Sequence, residues 1–160
     1  MYDGVEKRKV KRPEHPLEGT IKIDLNITNK AQDMEFSFII EDLIARNIAK
    51  SPAKQNIYKK MKGVATIDLP DIESAVTLIF EEGKLTIKPG IVDNPAIIIK
   101  TSYGMVTDLN MINIRWGLPY YFDEAGRRVL GHILSGRLKI KGMFSHTVLL
   151  TRLTILMSVM

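Results

Sequence analysis

Side chains that commonly do enzyme chemistry are sparse in this sequence of 160 residues. It contains three histidines, His15, His132 and His146, and no cysteine. Because no histidine has a partner at the usual ligand spacing, a histidine metal site is not expected. The lack of thiols excludes cysteine nucleophiles, disulfides and Cys-ligated metals. His132 and His146 are predicted to be hydrogen-bonding side chains of helices rather than acid–base catalysts.

Two groups of carboxylates are close enough in the sequence to be compared with catalytic or metal sites. Glu81 and Glu82 stand next to a glycine, which is typical of a solvated hairpin tip. The run that contains Asp68, Asp71 and Glu73 lacks the central glycine and the distal glutamate of a calcium loop. These three acidic residues are therefore predicted to stabilise a turn. Neither group predicts an acid–base pair or a metal site.

One segment has the glycine spacing of a phosphate-binding loop. Gly131 and Gly136 fit that motif, but Arg137 and Leu138 occupy the positions of its Lys and Ser/Thr, and the segment follows a predicted helix rather than a strand. The sequence also lacks the Gly-x-Ser-x-Gly, Gly-x-Gly-x-x-Gly and His-Glu-x-x-His motifs. We therefore expect no catalytic residue, no metal and no cofactor, and predict that the protein is not an enzyme.

Size and charge favour one folded domain with a basic N-terminal arm. The chain is 45% hydrophobic and carries 23 basic and 18 acidic side chains, for a net charge of +5. The first sixteen residues hold five of the basic and three of the acidic side chains, so the rest carries only +3, which is too little for a nucleic-acid groove. Residues 1–16 are predicted to be a flexible arm and residues 17–160 a single domain. No apolar export signal precedes Leu17, so a cytoplasmic location is expected.

The elements that would position any site begin with a strand and two helices. Strict alternation predicts a half-buried strand over Ile21–Ile27. Helical spacing of apolar residues predicts a helix over Asp33–Lys50. Ser51 is a typical N-cap before a proline, which predicts a second helix from Pro52 to about Lys62.

The middle of the chain has the pattern of an antiparallel meander. Runs rich in β-branched residues predict strands over Val64–Leu69, Ser74–Phe80 and Lys84–Lys88. Ala96–Lys100 supplies a further predicted strand. These segments would form the sheet of the domain.

The last third is predicted to be helical with one strand inside it. A helix capped by Ser102 would place Met105, Leu109, Ile112 and Trp116 on one side. A second helix, capped by Asp123, would group apolar residues on one side, namely Phe122, Val129, Leu130, Ile133 and Leu134. Arg137–Lys141 alternates as an edge strand with cationic outer residues. The segment Met143–Met160 is a very apolar helix, interrupted by His146 and Arg152 and therefore a poor membrane span.

The order of these elements resembles the sterol carrier protein 2 (SCP2) sterol-binding domain family. The matching features are the hairpin Val76–Ile87 around Glu82-Gly83, the strand and helix after it, and a signature string near the C terminus. That string reads Leu134-Ser135-Gly136-Arg137-Leu138-Lys139-Ile140-Lys141-Gly142. The resemblance runs from about Val64 to the end. It departs from the family at Arg115–Tyr121, which is longer than the usual link between helices, and at the N-terminal strand.

The resemblance implies an α/β (α+β) fold with a mostly antiparallel sheet of about five strands, helices packed on one face, and an apolar tunnel. Such domains bind sterols, fatty acids or fatty-acyl and isoprenoid chains without chemistry of their own. Apolar helix residues would then line the tunnel and bind the ligand: Met105, Leu109, Ile112, Trp116, Phe122, Leu130, Leu134, Phe144, Leu149, Leu153 and Met157.

Two other interpretations remain open at this stage. An SCP2-like module can serve as an accessory or scaffold in lipid or quinone biosynthesis, with its tunnel filled by side chains or by a partner. The basic arm could bind nucleic acid, although none is expected from the modest charge. In the lipid-transfer interpretation itself, the arm together with Lys139 and Lys141 would favour transient contact with anionic membranes. Exposed strand edges and the apolar C terminus leave homodimer formation open.

Overall fold

Five α-helices, one 3-10 helix (Pro70–Ile72) and eight strands occur in the residues that the structure, a computed structural model, describes: 25–110, 114–115, 118–119 and 122–158. The helices are α1 (Glu35–Lys50), α2 (Pro52–Lys59), α3 (Tyr103–Asn110), α4 (Glu124–Leu134) and α5 (Thr147–Met157). The strands are β1 (Ile27–Asn29), β2 (Lys62–Leu69), β3 (Ser74–Glu81), β4 (Leu85–Pro89), β5 (Ile97–Lys100), β6 (Ile114–Arg115), β7 (Leu118–Pro119) and β8 (Lys139–Lys141).

Six of the strands form one sheet in the order β1-β4-β3-β2-β5-β8, and β6 and β7 form a separate ribbon. Three pairings in the large sheet are antiparallel, while β1–β4 and β2–β5 are parallel. The predicted α/β fold with a mostly antiparallel sheet is confirmed. The count of about five strands is one short, because β1 adds to the edge next to β4.

The core lies between one face of the sheet and the helices α1 and α5. Alternate residues of β2, β3 and β4 point to this face, and the helices cover it with a stripe spaced by three and four. The side chains that are fully buried there include Ile40, Ile44, Ile48, Ile67, Leu69, Leu78, Phe80, Leu85, Ile87 and Ile97. The helices thus pack on one face, as the resemblance implies.

Polar contacts fix α5 against the first two helices. The buried Asn47 side chain donates from Nδ2 to the carbonyl of Leu156 at 2.9 Å. Lys54 is also buried and donates from Nζ to the carbonyl of Ser158, and this burial lowers the pKa of Lys54. These two contacts hold the C-terminal end of α5 against α1 and α2, so one side of the helix is buried in the core.

The second helix ends earlier than predicted. Ser51 caps α2 as expected, because its Oγ accepts from the amide of Lys54. However, α2 ends at Lys59 rather than near Lys62, and Gly63 lies inside β2. The reason is strand pairing: Lys62 and Gly63 join the ladder opposite Glu81 and its neighbour, and this pairing outweighs local helix propensity.

The predicted helix from Ser102 to Trp116 is wrong in its second half. α3 ends at Asn110, and Ile114–Arg115 pairs antiparallel with Leu118–Pro119. Asparagine and β-branched isoleucine are poor helix formers, and both recur just beyond the end of α3. The predicted stripe therefore spans two different kinds of element.

The last helix is shorter than the apolar segment that predicts it. α5 begins at Thr147, and residues 142–145 form turns. Gly142 has φ +82°, and a Cβ there would lie 2.1 Å from the carbonyl oxygen of Ala96, so the chain turns tightly against the start of β5. The predicted arm (1–16) and most of the predicted strand Ile21–Ile27 lie outside the described residues, and β1 begins only at Ile27.

Candidate functional site: an apolar cavity between α4, α5 and the sheet edge

An apolar cavity of about 290 Å³ lies between α4, α5 and the β5–β8 strand pair. Ile99 and Ile140 are direct partners in that pair and form its floor. We call this the apolar cavity; its other lining residues are Val129, Leu130, Ile133, Met143, Thr147, Leu150, Thr151, Leu153, Thr154 and Met157.

Hydrogen bonds at both ends of α4 position the wall that this helix supplies. Asp123 caps the helix, since its Oδ1 accepts from the amide of Gly126 at 2.7 Å. At the other end, Gly136 has φ +73°, and the amide of Leu138 donates to the carbonyl of His132 at 3.0 Å. This turn returns the chain from α4 directly into β8, so one short segment supplies both a wall and part of the floor.

The α5 wall combines leucines with threonines. Thr147, Thr151 and Thr154 are spaced by four and three and therefore share one side of the helix. Thr154 Oγ1 donates to the carbonyl of Leu150 at 2.9 Å, which leaves its methyl group to form apolar surface. All twelve lining residues are uncharged. The cavity can therefore hold an apolar chain, and its lining offers no acid, base or nucleophile of perturbed pKa.

Three of the predicted ligand-binding residues, Leu130, Leu153 and Met157, meet at this cavity. Leu149 instead is buried toward the sheet, beside Gly63. Met105 is half-buried on α3, away from the cavity lining. Whether any of them touches a ligand stays a prediction.

The remaining predicted lining residues lie elsewhere or outside the described part of the chain. Phe122, Leu134 and Phe144 are 74%, 88% and 87% exposed, so they line no interior surface. Leu109 is in the last turn of α3, and Ile112 and Trp116 lie outside the described residues.

Several lining residues carried a readable signal that the prediction did not use. Val129 and Ile133 lie on the predicted apolar side of α4, and Ile140 alternates with Lys139 and Lys141 in the edge strand. The threonines of α5 gave no such signal, because their role depends on which side of a uniformly apolar helix faces the sheet.

Other candidate chemistry is not assembled in the described residues. Among them, no group of three His, Asp or Glu side chains could hold a metal ion. His132 is half-buried at the end of α4, and His146 is exposed just before α5. None of the described helices is long and apolar enough to cross a membrane.

Comparison with known proteins gives structural likeness at low identity. No protein-family model matches the sequence, and no curated protein matches it. Among solved structures, a UbiJ-SCP2 ubiquinone synthesis protein matches with a TM-score of 0.52 and 14% identity, over 74% of this chain and 84% of that one. The stereoselective inverting sec-alkylsulfatase Pisa1 from Pseudomonas sp. matches with a TM-score of 0.55 and 11% identity. Here the match covers 81% of this chain and only 17% of the sulfatase.

A structure of sterol carrier protein 2 matches with a TM-score of 0.45 and 14% identity, over 76% of this chain and 96% of that one. The likeness to the UbiJ-SCP2 ubiquinone synthesis protein, together with the mixed sheet and its one-sided helices, shows that the protein has an SCP2-like fold.

Proposed function

We propose that the protein binds or transfers a lipid without catalysis, holding a sterol, fatty acid, fatty-acyl or isoprenoid chain in the apolar cavity. The observation that carries this proposal is the lining itself: twelve uncharged residues, nine of them fully apolar, between two helices and a sheet edge. Burial of apolar surface is the main source of affinity available there. A non-enzymatic role is in keeping with this lining.

The cavity volume sets the length of chain that fits. At about 30 Å³ per water-sized group, 290 Å³ holds a segment of about ten methylene groups. Each buried methylene contributes about 0.8 kcal/mol, which corresponds to about a fourfold change in Kd. Affinity for fatty acids should therefore rise about fourfold per added carbon and level off once about ten are buried.

The experiment is displacement of a fluorescent fatty acid by a series of saturated fatty acids, all below their micelle concentrations. Leu150→Lys places a charge in the cavity and should abolish displacement. Leu134→Lys is the matched control, because Leu134 is 88% exposed and its replacement adds the same charge outside the cavity. Thr151→Trp blocks the cavity without adding charge. Equal binding by all four proteins would contradict the proposal.

Membrane contact is the second part of the proposal. From Ala125 onward the chain carries six Lys and Arg residues and no Asp or Glu, and one of the six, Arg128, pairs with Glu124 at 3.8 Å. The same region exposes Leu134, Phe144 and Val148, the last at 63%. Exposed apolar side chains among cations are suited to transient contact with an anionic bilayer, to which each cation adds about 1 kcal/mol. A cytoplasmic location would expose the protein to such lipids.

Vesicle flotation separates this contact from cavity binding. Leu134→Gln should weaken association with phosphatidylglycerol vesicles about tenfold, because it removes one leucine from the contact without adding a cation. Leu150→Lys should float like the unaltered protein. If the Leu134 variant floats like the unaltered protein while Leu150→Lys loses association with the vesicles, membrane contact through this surface is wrong.

An accessory role is the second candidate function. It is favoured by the likeness to a UbiJ-SCP2 ubiquinone synthesis protein, 84% of which is covered by the match. In that role the cavity would hold a prenyl chain or a partner segment within a biosynthetic assembly. Co-purification of a defined partner with an empty cavity would favour this role over lipid transfer.

A further inference from the structure

A second concave surface lies at the end of the β5–β8 strand pair. It measures about 280 Å³ and is lined by Pro70, Asp71, Lys100, Thr101, Ser102, Gly136, Arg137 and Lys139. We call it the cationic groove. Unlike the apolar cavity, it brings three cations together around hydroxyl groups and a glycine.

Two of these cations are held side by side by strand register. Lys100 and Lys139 are direct partners in the antiparallel ladder, so they project from the same face of the sheet. Directly opposed residues have Cβ atoms about 4.5 to 5.5 Å apart, and like charges there are destabilising. A strand pair that keeps two lysines opposite each other would gain stability from an anion bound between them.

Carboxylates in the neighbourhood only partly offset this charge. Asp68 approaches Lys100 at 3.7 Å between Oδ2 and Nζ. Asp71 lines the groove, but its carboxylate accepts from the amide of Tyr103 at 2.9 and 3.2 Å. Among the described residues, no ion pair is formed by Arg137 or Lys139, so these two carry about two unneutralised positive charges.

The groove's volume of about 280 Å³ leaves room for a small oxyanion. Thr101 lines the groove, but its Oγ1 is shielded from solvent, so the three cations supply the contacts. Gly136 adopts φ +73°, and the turn that it forms brings Arg137 to the groove. We infer that the cationic groove is a binding site for a phosphate-type oxyanion, held by Lys100, Arg137 and Lys139.

The oxyanion could be free phosphate or the headgroup of a lipid. Ile99 and Ile140 face the apolar cavity, whereas their neighbours Lys100 and Lys139 face the groove. The two surfaces are therefore the two sides of one strand pair at the sheet edge. The headgroup alternative rests on the proposed function, while binding of phosphate itself does not.

The test is a titration of the isotope-labelled full chain with inorganic phosphate, followed by amide chemical shifts. Saturable shifts are expected in residues 101–102 and 136–139. Arg137→Gln with Lys139→Gln should weaken binding at least about tenfold, because two charge-assisted contacts are lost. The control, Lys50→Gln with Lys59→Gln, removes the same charge from exposed helix positions and should leave affinity unchanged.

A parallel arm separates the two sources. If phosphate gives no shift, but short-chain phosphatidylglycerol below its micelle concentration shifts residues 101–102 and 136–139 in the unaltered protein and in the control, and not in the Arg137/Lys139 double variant, the oxyanion is a lipid headgroup. Equal phosphate affinity of the unaltered protein and the Arg137/Lys139 double variant would overturn the inference, as would shifts confined to residues 1–16. Leu150→Lys should leave phosphate binding intact, so the oxyanion site can stand even if lipid binding in the cavity fails.

Discussion

Replacement of Gly142 by alanine should destabilise the protein and open the floor of the apolar cavity. The new Cβ would lie 2.1 Å from the carbonyl oxygen of Ala96, whereas ordinary contact begins at 3.4 Å. The start of β5 would therefore have to move by the difference, 1.3 Å, away from the turn that follows β8. Because β5 and β8 carry Ile99 and Ile140, this shift acts directly on the cavity floor.

The cost can be estimated from two terms. Residue 142 has φ +82°, which costs an alanine about 1 to 3 kcal/mol. Overpacking against backbone adds about 1 to 3 kcal/mol. We therefore expect the free energy of unfolding to fall by about 2 to 6 kcal/mol, measured by urea denaturation, together with weaker fatty-acid binding.

Gly131→Ala is the control for this substitution. Gly131 lies inside α4, and a Cβ there would meet nothing within 4 Å. Alanine should stabilise this helix by about 0.5 to 1 kcal/mol. If Gly142→Ala and Gly131→Ala changed stability in the same direction and by similar amounts, the close approach of residue 142 to β5 would be wrong.

Three further substitutions test other parts of the structure. Burial raises the pKa of Tyr58 from 10.0 to about 12, and its hydroxyl donates to the carbonyl of Leu25 at 2.7 Å. The unfolded chain loses this proton first, so the stability contribution is complete below pH 10 and disappears as the pH rises through about 12. Tyr58→Phe should flatten this part of the pH profile in urea titrations; an unchanged profile would refute the assignment. Asp123→Ala should cost about 1 kcal/mol by removing the α4 cap, and thermal melts that match the unaltered protein would argue against that cap. Asn47→Ala should lower the free energy of unfolding by about 1 to 3 kcal/mol, because it leaves a buried carbonyl of α5 without a partner. An unchanged unfolding transition in calorimetry would contradict this contact.

The parts of the fold that the sequence predicts well are those in which local and tertiary preferences agree. α1 has a clear apolar stripe, and the strands β2 to β4 combine β-branched residues with turn residues between them. Ser51 and Asp123 cap the helices expected of them. In these segments the long-range contacts favour the same secondary structure as the local sequence.

The errors occur where long-range pairing decides the outcome. α2 gives up its last turn because Lys62 pairs with β3, and the helix expected to reach Trp116 ends at Asn110, with a strand ribbon beyond it. β1 is short and pairs in parallel with β4, a distant segment that no local signal identifies. Parallel pairing of segments far apart in sequence is not encoded in local periodicity.

The candidate site shows the same division. Helical spacing identified apolar residues of α4 and α5, but it could not show which part of an apolar helix side is covered by the rest of the protein. Leu130 and Leu134 are one turn apart, yet the first lines the cavity and the second is 88% exposed. That difference depends on where α4 ends and turns toward β8.

Native mass spectrometry of the gently purified full chain, before and after organic extraction, tests the central claim most directly. We expect a bound mass that extraction releases as a lipid, and its absence from the Leu150→Lys variant under the same conditions. A single ligand-free mass from the unaltered protein, together with no displacement of a fluorescent fatty acid or sterol, would contradict lipid binding in the apolar cavity.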